Sequence, residues 1–148
     1  MQRQQGLTLL ELLVVLAIIG FAMAGVSLSL RDSSQTQLER EAQRLVAVLE
    51  AARAQSRTSG VALVWQASPE GFVIQSNNKS LAARTETWLA AGTQATLSTA
   101  TGNIVVLGPE PILAPARITL SAATTNTSKP SPSLSIGTDG LQPFRVVP

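Results

Sequence analysis

The sequence contains no cysteine, no histidine and no tyrosine, and these absences narrow what the chain can do. Without cysteine there is no disulfide framework and no thiolate metal site, so stability must come from packing. Without histidine or cysteine there is no Ser-His-Asp triad, no cysteine nucleophile and no ordinary set of zinc ligands. We therefore expect a protein that is not an enzyme, has no small-molecule substrate and needs no metal or other cofactor.

Charge is also scarce, since the 148 residues carry 11 basic and 9 acidic side chains, for a formal net charge of +2. A surface that binds nucleic acid normally has a larger and clustered basic excess. The charge balance therefore argues against nucleic acid as a partner. The length is sufficient for one modest core, and we expect one domain attached to an anchor.

The anchor is predicted at residues 7–30, where Glu11 is the only charged residue. At ~1.5 Å rise per residue, a helix of this length covers ~36 Å, which is enough to cross the hydrocarbon core of a bilayer. A charged side chain inside the hydrocarbon costs roughly 2.5 to 3.5 kcal/mol on insertion scales. Glu11 is therefore predicted to be functional and to need a cationic partner, such as an amine on another chain.

The order of Gly6, Leu7 and Glu11 resembles the N-terminal signal of type IV pilin-like proteins. The resemblance implies that residues 1–6 are a leader peptide, which a prepilin peptidase removes by cutting between Gly6 and Leu7. It also implies that the new N-terminus, Leu7, is N-methylated. Glu11 would then pair with the α-amine of a neighbouring subunit during assembly of a fibre.

Two other interpretations of this segment remain open. The first is a plain single-pass anchor, which leaves Glu11 unexplained. The second is a secretory signal peptide, because Ala22-Met23-Ala24 forms a small-residue cleavage pattern after an apolar stretch. In that case the chain would be a soluble periplasmic binding protein whose mature form starts at Gly25.

Gly20 and Gly25 interrupt the apolar segment. Glycine loosens a helix by ~1 kcal/mol relative to alanine. In pilin-like fibres this stretch is thought to extend or partly melt when it leaves the bilayer, so the resemblance implies a role in helix flexibility for both glycines. The alternative is that they are simply tolerated, as glycine often is in membrane helices.

Residues 31–59 are predicted to continue the helix with an amphipathic pattern, because apolar or small residues recur at steps of three and four. These periodic positions are Leu38, Ala42, Leu45, Leu49, Ala52 and Ser56. The spaced pairs Glu41/Arg44 and Glu50/Arg53 are predicted to lie on the exposed side of the helix. Gly60 is expected to cap its C-terminus.

Residues 60–148 are predicted to form a β-domain. The sequence Ser68-Pro69-Glu70-Gly71 has proline and glycine where a type I turn prefers them, which predicts a hairpin of strands 61–67 and 72–76. Further strands are predicted at residues 87–90, 95–98, 103–107, 117–121, 134–136 and 144–147. Residues 76–84 and 122–133 are predicted loops.

The segment from Glu41 to Gly60, the strand and turn after it, and the turn at Asp139-Gly140 are together similar to the GspH/FimT group of minor pilin-like proteins. This resemblance implies an α+β, pilin-like fold, in which a long N-terminal helix packs on an antiparallel β-sheet. It also implies a single-pass protein of the bacterial inner membrane with its C-terminal domain in the periplasm.

Within that group, the sequence is interpreted as a minor pseudopilin of a type II secretion system, in the tip complex of the fibre that helps to export folded proteins. Its partners would be the prepilin peptidase, other minor pseudopilins and the major pseudopilin. The alternative is a FimT-like or FimU-like minor pilin of a type IV pilus, some of which bind DNA. The C-terminal region offers only Arg117, Lys129 and Arg145 for phosphate contacts.

Overall fold

The computed structural model describes residues 9–76, 82–99, 102–122 and 131–147, and for residues 24–33 it describes the backbone only. The described residues form one helix, α1 (Leu9–Ser59), and eight strands. The strands are β1 (Leu63–Ser68), β2 (Gly71–Ser76), β3 (Arg84–Thr87), β4 (Gln94–Thr99), β5 (Val105–Leu107), β6 (Ala116–Ser121), β7 (Ser133–Thr138) and β8 (Arg145–Val147). The chain divides into two units, Met1–Ser34 and Gln35–Pro148, and the core described below belongs to the second.

The C-terminal end of α1 lies where the sequence predicts it. The helix ends at Ser59, and Gly60 follows with a φ of 68°. That left-handed conformation is the usual one for the glycine that caps a helix, because glycine has no Cβ to oppose it. The predicted cap is confirmed.

The core-facing side of α1 follows the predicted period. All six periodic positions are buried: Leu38, Ala42, Leu45, Leu49, Ala52 and Ser56. Steps of three and four residues keep these side chains on one side of the helix, where they meet the apolar sides of the strands. Burial of this row attaches the second part of α1 to the β-domain.

The first sheet has the strand order β3-β2-β1-β5, and its strands are antiparallel. Its centre is the predicted hairpin of β1 and β2, in which Ser68 pairs with Gly71 across Pro69 and Glu70. Three aromatic rings fill its core side. The ring centroids of Trp65 and Phe72 are 5.9 Å apart, and those of Phe72 and Trp88 are 5.4 Å apart.

One predicted strand is largely wrong. The prediction placed a strand at residues 87–90, but β3 runs over Arg84–Thr87 and ends before Trp88. The Trp88 backbone N–H donates to the Glu70 carbonyl at 3.0 Å, and the indole Nε1 donates to the Ser68 carbonyl at 3.3 Å. These bonds draw Trp88 toward the β1–β2 turn. Trp88 is therefore a buried residue that packs beside this turn and does not belong to a strand. The prediction was wrong because tryptophan is common in strands.

The second sheet has the order β4-β6-β7-β8 and is also antiparallel. Its core side is formed by alternate residues that are fully buried, including Ile118, Leu120 and Ile136. The domain thus contains two four-stranded sheets, where the sequence led us to expect one. Apart from the strand at 87–90, every predicted strand coincides with an observed one to within two residues at each end.

Candidate functional site

The N-terminal part of α1 presents an apolar surface that the described residues of the chain do not cover. Every side chain from Leu9 to Met23 is exposed, including Phe21 at 80%. Glu11 lies in the first turn of the helix and is the acidic residue of this surface. An exposed apolar patch of this kind marks a surface that contacts another protein or a membrane.

The structure describes only some of the site residues that were predicted in this segment. Gly6 and Leu7 lie outside the described residues, so cleavage and N-methylation there remain predictions. A Cβ added at Gly20 would meet no atom within 4 Å, so this glycine faces open space. Gly25 lies in α1, but its surroundings are not described. Within the described residues, no helix is both long enough and apolar enough to cross a membrane.

One residue of each spaced pair in residues 35–59, Glu41 and Arg53, is buried, so the prediction that both pairs lie on the exposed side of the helix is wrong for these two residues. Glu41 is only 1% exposed and Arg53 only 4%. Helical spacing explains their burial, because Glu41 lies three residues after Leu38 and Arg53 lies four after Leu49, on the core-facing row itself. The spacing in the sequence could therefore have predicted the burial of both side chains. A charge can remain there only if other groups satisfy its hydrogen bonds.

Glu41 holds the segment that follows β3. Its Oε2 accepts a hydrogen bond from the Leu89 backbone N–H at 2.6 Å, and its Oε1 pairs with Arg44 Nη1 at 3.0 Å. The carboxylate thereby uses both oxygens, one on the backbone and one on a cation. These contacts fix the chain just after Trp88 to the helix.

Arg44 continues this contact to β3 itself. Its Nη1 donates to the Thr87 carbonyl at 3.0 Å, its Nη2 pairs with Glu86, and its guanidinium lies 5.6 Å from the Phe72 ring centroid. Glu86 also pairs with Arg84. Burial acts to raise the pKa of Glu86, but the hydrogen bonds from Arg84 and Arg44 outweigh it and lower that pKa below 4.5.

Arg53 makes the corresponding contacts at the other end of the domain. Its Nη2 donates to the carbonyls of Pro111 at 3.1 Å and Gly140 at 3.3 Å, and its Nη1 donates to the Gln142 carbonyl at 3.4 Å. Glu50, 3.8 Å from Arg53 Nη1, accepts a hydrogen bond from the Phe144 N–H at 2.8 Å. One buried guanidinium therefore ties two loops to α1.

The loop between β7 and β8 contains the predicted Asp139-Gly140 turn. Asp139 Oδ1 accepts from the backbone N–H groups of Gln142 at 2.8 Å and Leu141 at 3.0 Å. The hydrogen bond from Gln142 is the main cause that holds the pKa of Asp139 below its usual value. Gly140 has a φ of 93°, and a Cβ there would overlap the carbonyl oxygen of Leu113. This turn therefore needs glycine.

The described residues offer no obvious place for a metal ion. Nowhere among them do three acidic side chains come together in a cluster that would hold one. Hard cations such as calcium take six to eight oxygen ligands, which a single exposed carboxylate such as Asp139 does not supply.

Comparisons with known proteins give a match for the N-terminal residues and a match for the fold. Residues 1–27 match the model of the prokaryotic N-terminal methylation motif. The fold is similar to the crystal structure of the type IV minor pilin FimU from Pseudomonas aeruginosa strain PAO1, with a TM-score of 0.56 and 14% sequence identity. That alignment covers 76% of this chain and 90% of the other. A search of curated proteins gives no significant match.

The chain thus combines a type IV pilin-like N-terminal methylation motif with a pilin-like fold. The predicted α+β fold class, a long N-terminal helix followed by an antiparallel β-domain, is confirmed. The motif implies processing by a prepilin peptidase and assembly with other pilin-like subunits. The matched structure is that of a type IV minor pilin.

Proposed function

We propose that this chain is a minor subunit of a pilin-like fibre, held in the inner membrane by residues 7–30 before assembly and with its β-domain in the periplasm. The observation that carries the proposal is the methylation motif at residues 1–27, beside an apolar helical surface that is exposed from Leu9 to Met23. Membrane lipid would cover this surface before assembly, and neighbouring helices would cover it in the fibre.

The proposed processing gives Glu11 its partner. Cleavage between Gly6 and Leu7 would create a new α-amine, and methylation of Leu7 would keep that amine positively charged. A charged carboxylate in apolar surroundings is costly, so the cationic amine of an adjacent subunit would attract Glu11. Because Glu11 is the only charge in residues 7–30, this pairing would fix one register between neighbouring helices.

Within this class we assign the chain to the tip complex of a type II secretion pseudopilus, which helps to export folded proteins across the outer membrane. The support is the resemblance of the segment from Glu41 to Gly60, and of the Asp139-Gly140 turn, to the GspH/FimT group. Its partners would be the other minor pseudopilins and the major pseudopilin.

A second candidate function is that of a minor pilin in a type IV pilus, and the fold similarity to FimU favours it. Assembly through Leu7 and Glu11 would be the same in either fibre. The two candidates differ in what the fibre does, so cells distinguish them. In a deletion strain complemented with the full chain, the first candidate predicts restored export of folded proteins, and the second predicts restored pili.

The role of Glu11 is tested by Glu11→Ala, with Glu39→Ala as the matched control. Glu39 is an exposed glutamate on the same helix, in its amphipathic part. Glu11→Ala is expected to be processed normally, as seen by the mobility of the mature protein, but to be lost from sheared fibres. Glu39→Ala is expected to assemble like the unaltered protein. Normal incorporation of Glu11→Ala would contradict the proposed pairing.

A further inference from the structure

The outward side of the second sheet carries two arginines on either side of a glycine. In the strand register, Arg117 of β6 pairs with Gly137 of β7, which in turn pairs with Arg145 of β8. The three residues therefore point to the same side of the sheet, with the outer two separated by ~10 Å at their Cα atoms. Arg117 and Arg145 are exposed.

Gly137 turns this row into a groove. It has no side chain to fill the space between the two arginines, and a cavity of about 350 Å³ lies there. Arg117, Arg145, Ser98 and Pro143 are among the residues that line it. A Cβ at Gly137 would lie 3.4 Å from both the Ala116 carbonyl oxygen and Val147 Cγ2, which is close van der Waals contact without overlap. The groove is therefore open because residue 137 has no side chain. The backbone conformation at this position does not itself require glycine.

The strand residues on this side of the sheet carry positive charge only. The outward-facing residues are Gln94, Thr96, Ser98, Arg117, Thr119, Ser121, Ser133, Ser135, Gly137, Arg145 and Val147. Two are basic, most others carry a hydroxyl or amide, and none is acidic. Asp139 also lines the groove.

We propose that this groove binds an acidic segment of a partner protein, with an aspartate or glutamate carboxylate over Gly137 between Arg117 and Arg145. Guanidinium groups match a carboxylate in charge and in geometry. A nucleic acid duplex requires several phosphate contacts, more than the two arginines of this row supply. The proposal goes beyond the proposed function and does not depend on it.

The test is the fluorescence anisotropy of a labelled peptide that alternates glutamate and serine, titrated with the full chain in a non-ionic detergent. The same peptide with glutamine in place of glutamate is the ligand control. We expect the acidic peptide to bind at least about tenfold more tightly, because hydrogen bonds between two charged groups are stronger than those to a neutral amide. The preference should weaken as salt is added. Equal binding of the two peptides would overturn the proposal.

Three variants separate the groove from general charge. Arg117→Ala combined with Arg145→Ala should remove the preference for the acidic peptide, whereas Arg40→Ala combined with Arg57→Ala removes the same charge from exposed positions of α1 and should preserve it. Gly137→Val leaves the charge unchanged and fills the groove, and it should weaken binding about fivefold or more. The fold of each variant is checked by near-ultraviolet circular dichroism.

Three results would overturn the proposal. The first is unchanged binding in the double variant at Arg117 and Arg145. The second is unchanged binding in Gly137→Val. The third is tight binding of a labelled DNA duplex with no preference for the acidic peptide, which would assign the arginines to phosphate instead. None of these results would affect the proposed function, because the assay involves neither processing nor fibre assembly.

Discussion

Two segments of the same helix, residues 9–23 and residues 35–59, differ in how their sequence relates to burial. In residues 9–23 nearly every position is apolar and every side chain is exposed. In residues 35–59 fewer positions are apolar, yet the core-facing row is buried and includes the charged Glu41 and Arg53. Hydrophobicity alone therefore predicts the burial of individual side chains poorly.

The two segments differ in which groups their side chains contact. Residues 35–59 use contacts within their own domain, so each buried charge has partners on the loops of the two sheets. A helix that is apolar on all sides needs partners all round, which lipid or neighbouring helices supply. Changes in residues 35–59 should therefore affect the stability of the domain, and changes in residues 9–23 should affect assembly.

The largest effect on stability is expected from Arg53→Ala. This change leaves the carbonyls of Pro111, Gly140 and Gln142 without their buried donor, which should lower the free energy of unfolding by about 3 kcal/mol. Urea unfolding of the fragment Gln35–Pro148, which contains the whole buried core, measures it. Arg57→Ala, at an exposed position of the same helix, should change the value by less than about 0.5 kcal/mol. Equal effects would show that Arg53 is not an anchor.

A second comparison uses Gly140 in the loop between β7 and β8 and Gly20 in residues 9–23, both measured in the full chain in detergent. Gly140→Ala forces a side chain onto a residue with a φ of 93° and against the Leu113 carbonyl, and should destabilise the domain by about 2 kcal/mol or more. Gly20→Ala meets open space and should leave the thermal unfolding of the sheets unchanged. The account would be wrong if both variants unfolded at the temperature of the unaltered protein.

Glu41→Ala is expected to have a somewhat smaller effect. It removes the acceptor of the Leu89 N–H and the partner of Arg44, at a cost of about 2 kcal/mol in the free energy of unfolding. Glu39→Ala, two residues away and exposed, should be nearly neutral. Urea unfolding of the two variants side by side tests the difference. A cost for Glu39→Ala equal to that for Glu41→Ala would indicate a general loss of helix charge instead.

The smallest predicted effect is a dependence on pH. The pKa of Glu86 is lower in the folded chain than its ordinary value of 4.5, so its contribution to stability is present above that value and is lost as the pH falls through the folded pKa. Unfolding curves from about pH 5 to about pH 3 should therefore show a loss of stability that Glu86→Gln reduces. An unchanged acid dependence in Glu86→Gln would mean that its ion pairs with Arg44 and Arg84 do not stabilise the fold.

The sequence predicts the parts of this fold that depend on local pattern. The helix end at Gly60, the hairpin across Pro69 and Glu70, and the buried row of α1 follow from period, turn chemistry and capping. The burial of Glu41 and Arg53 was not predicted, because their partners at Leu89 and Gly140 lie 48 and 87 residues further along the chain. Spacing placed both charges on the core-facing row, but only the tertiary contacts show what satisfies them.

The functional features likewise include some that the sequence predicts and one that it does not. The leader, the cleavage point and Glu11 were predicted from a short local motif, and residues 1–27 match the methylation model. The groove at Gly137 was not predicted, because it depends on the register of three strands. Neither the spacing of Arg117 and Arg145 nor their surrounding sequence indicates that they share one side of a sheet.

The most direct test of the central claim is the intact mass and N-terminal sequence of the protein extracted from membranes of cells with an active prepilin peptidase. We predict a mature chain that begins at N-methylated Leu7 and lacks residues 1–6. A chain that begins at Gly25 would instead identify an exported protein with a conventional signal peptide. A chain that retains its leader despite active peptidase would identify a plain anchor, and either result would contradict a role in a pilin-like fibre.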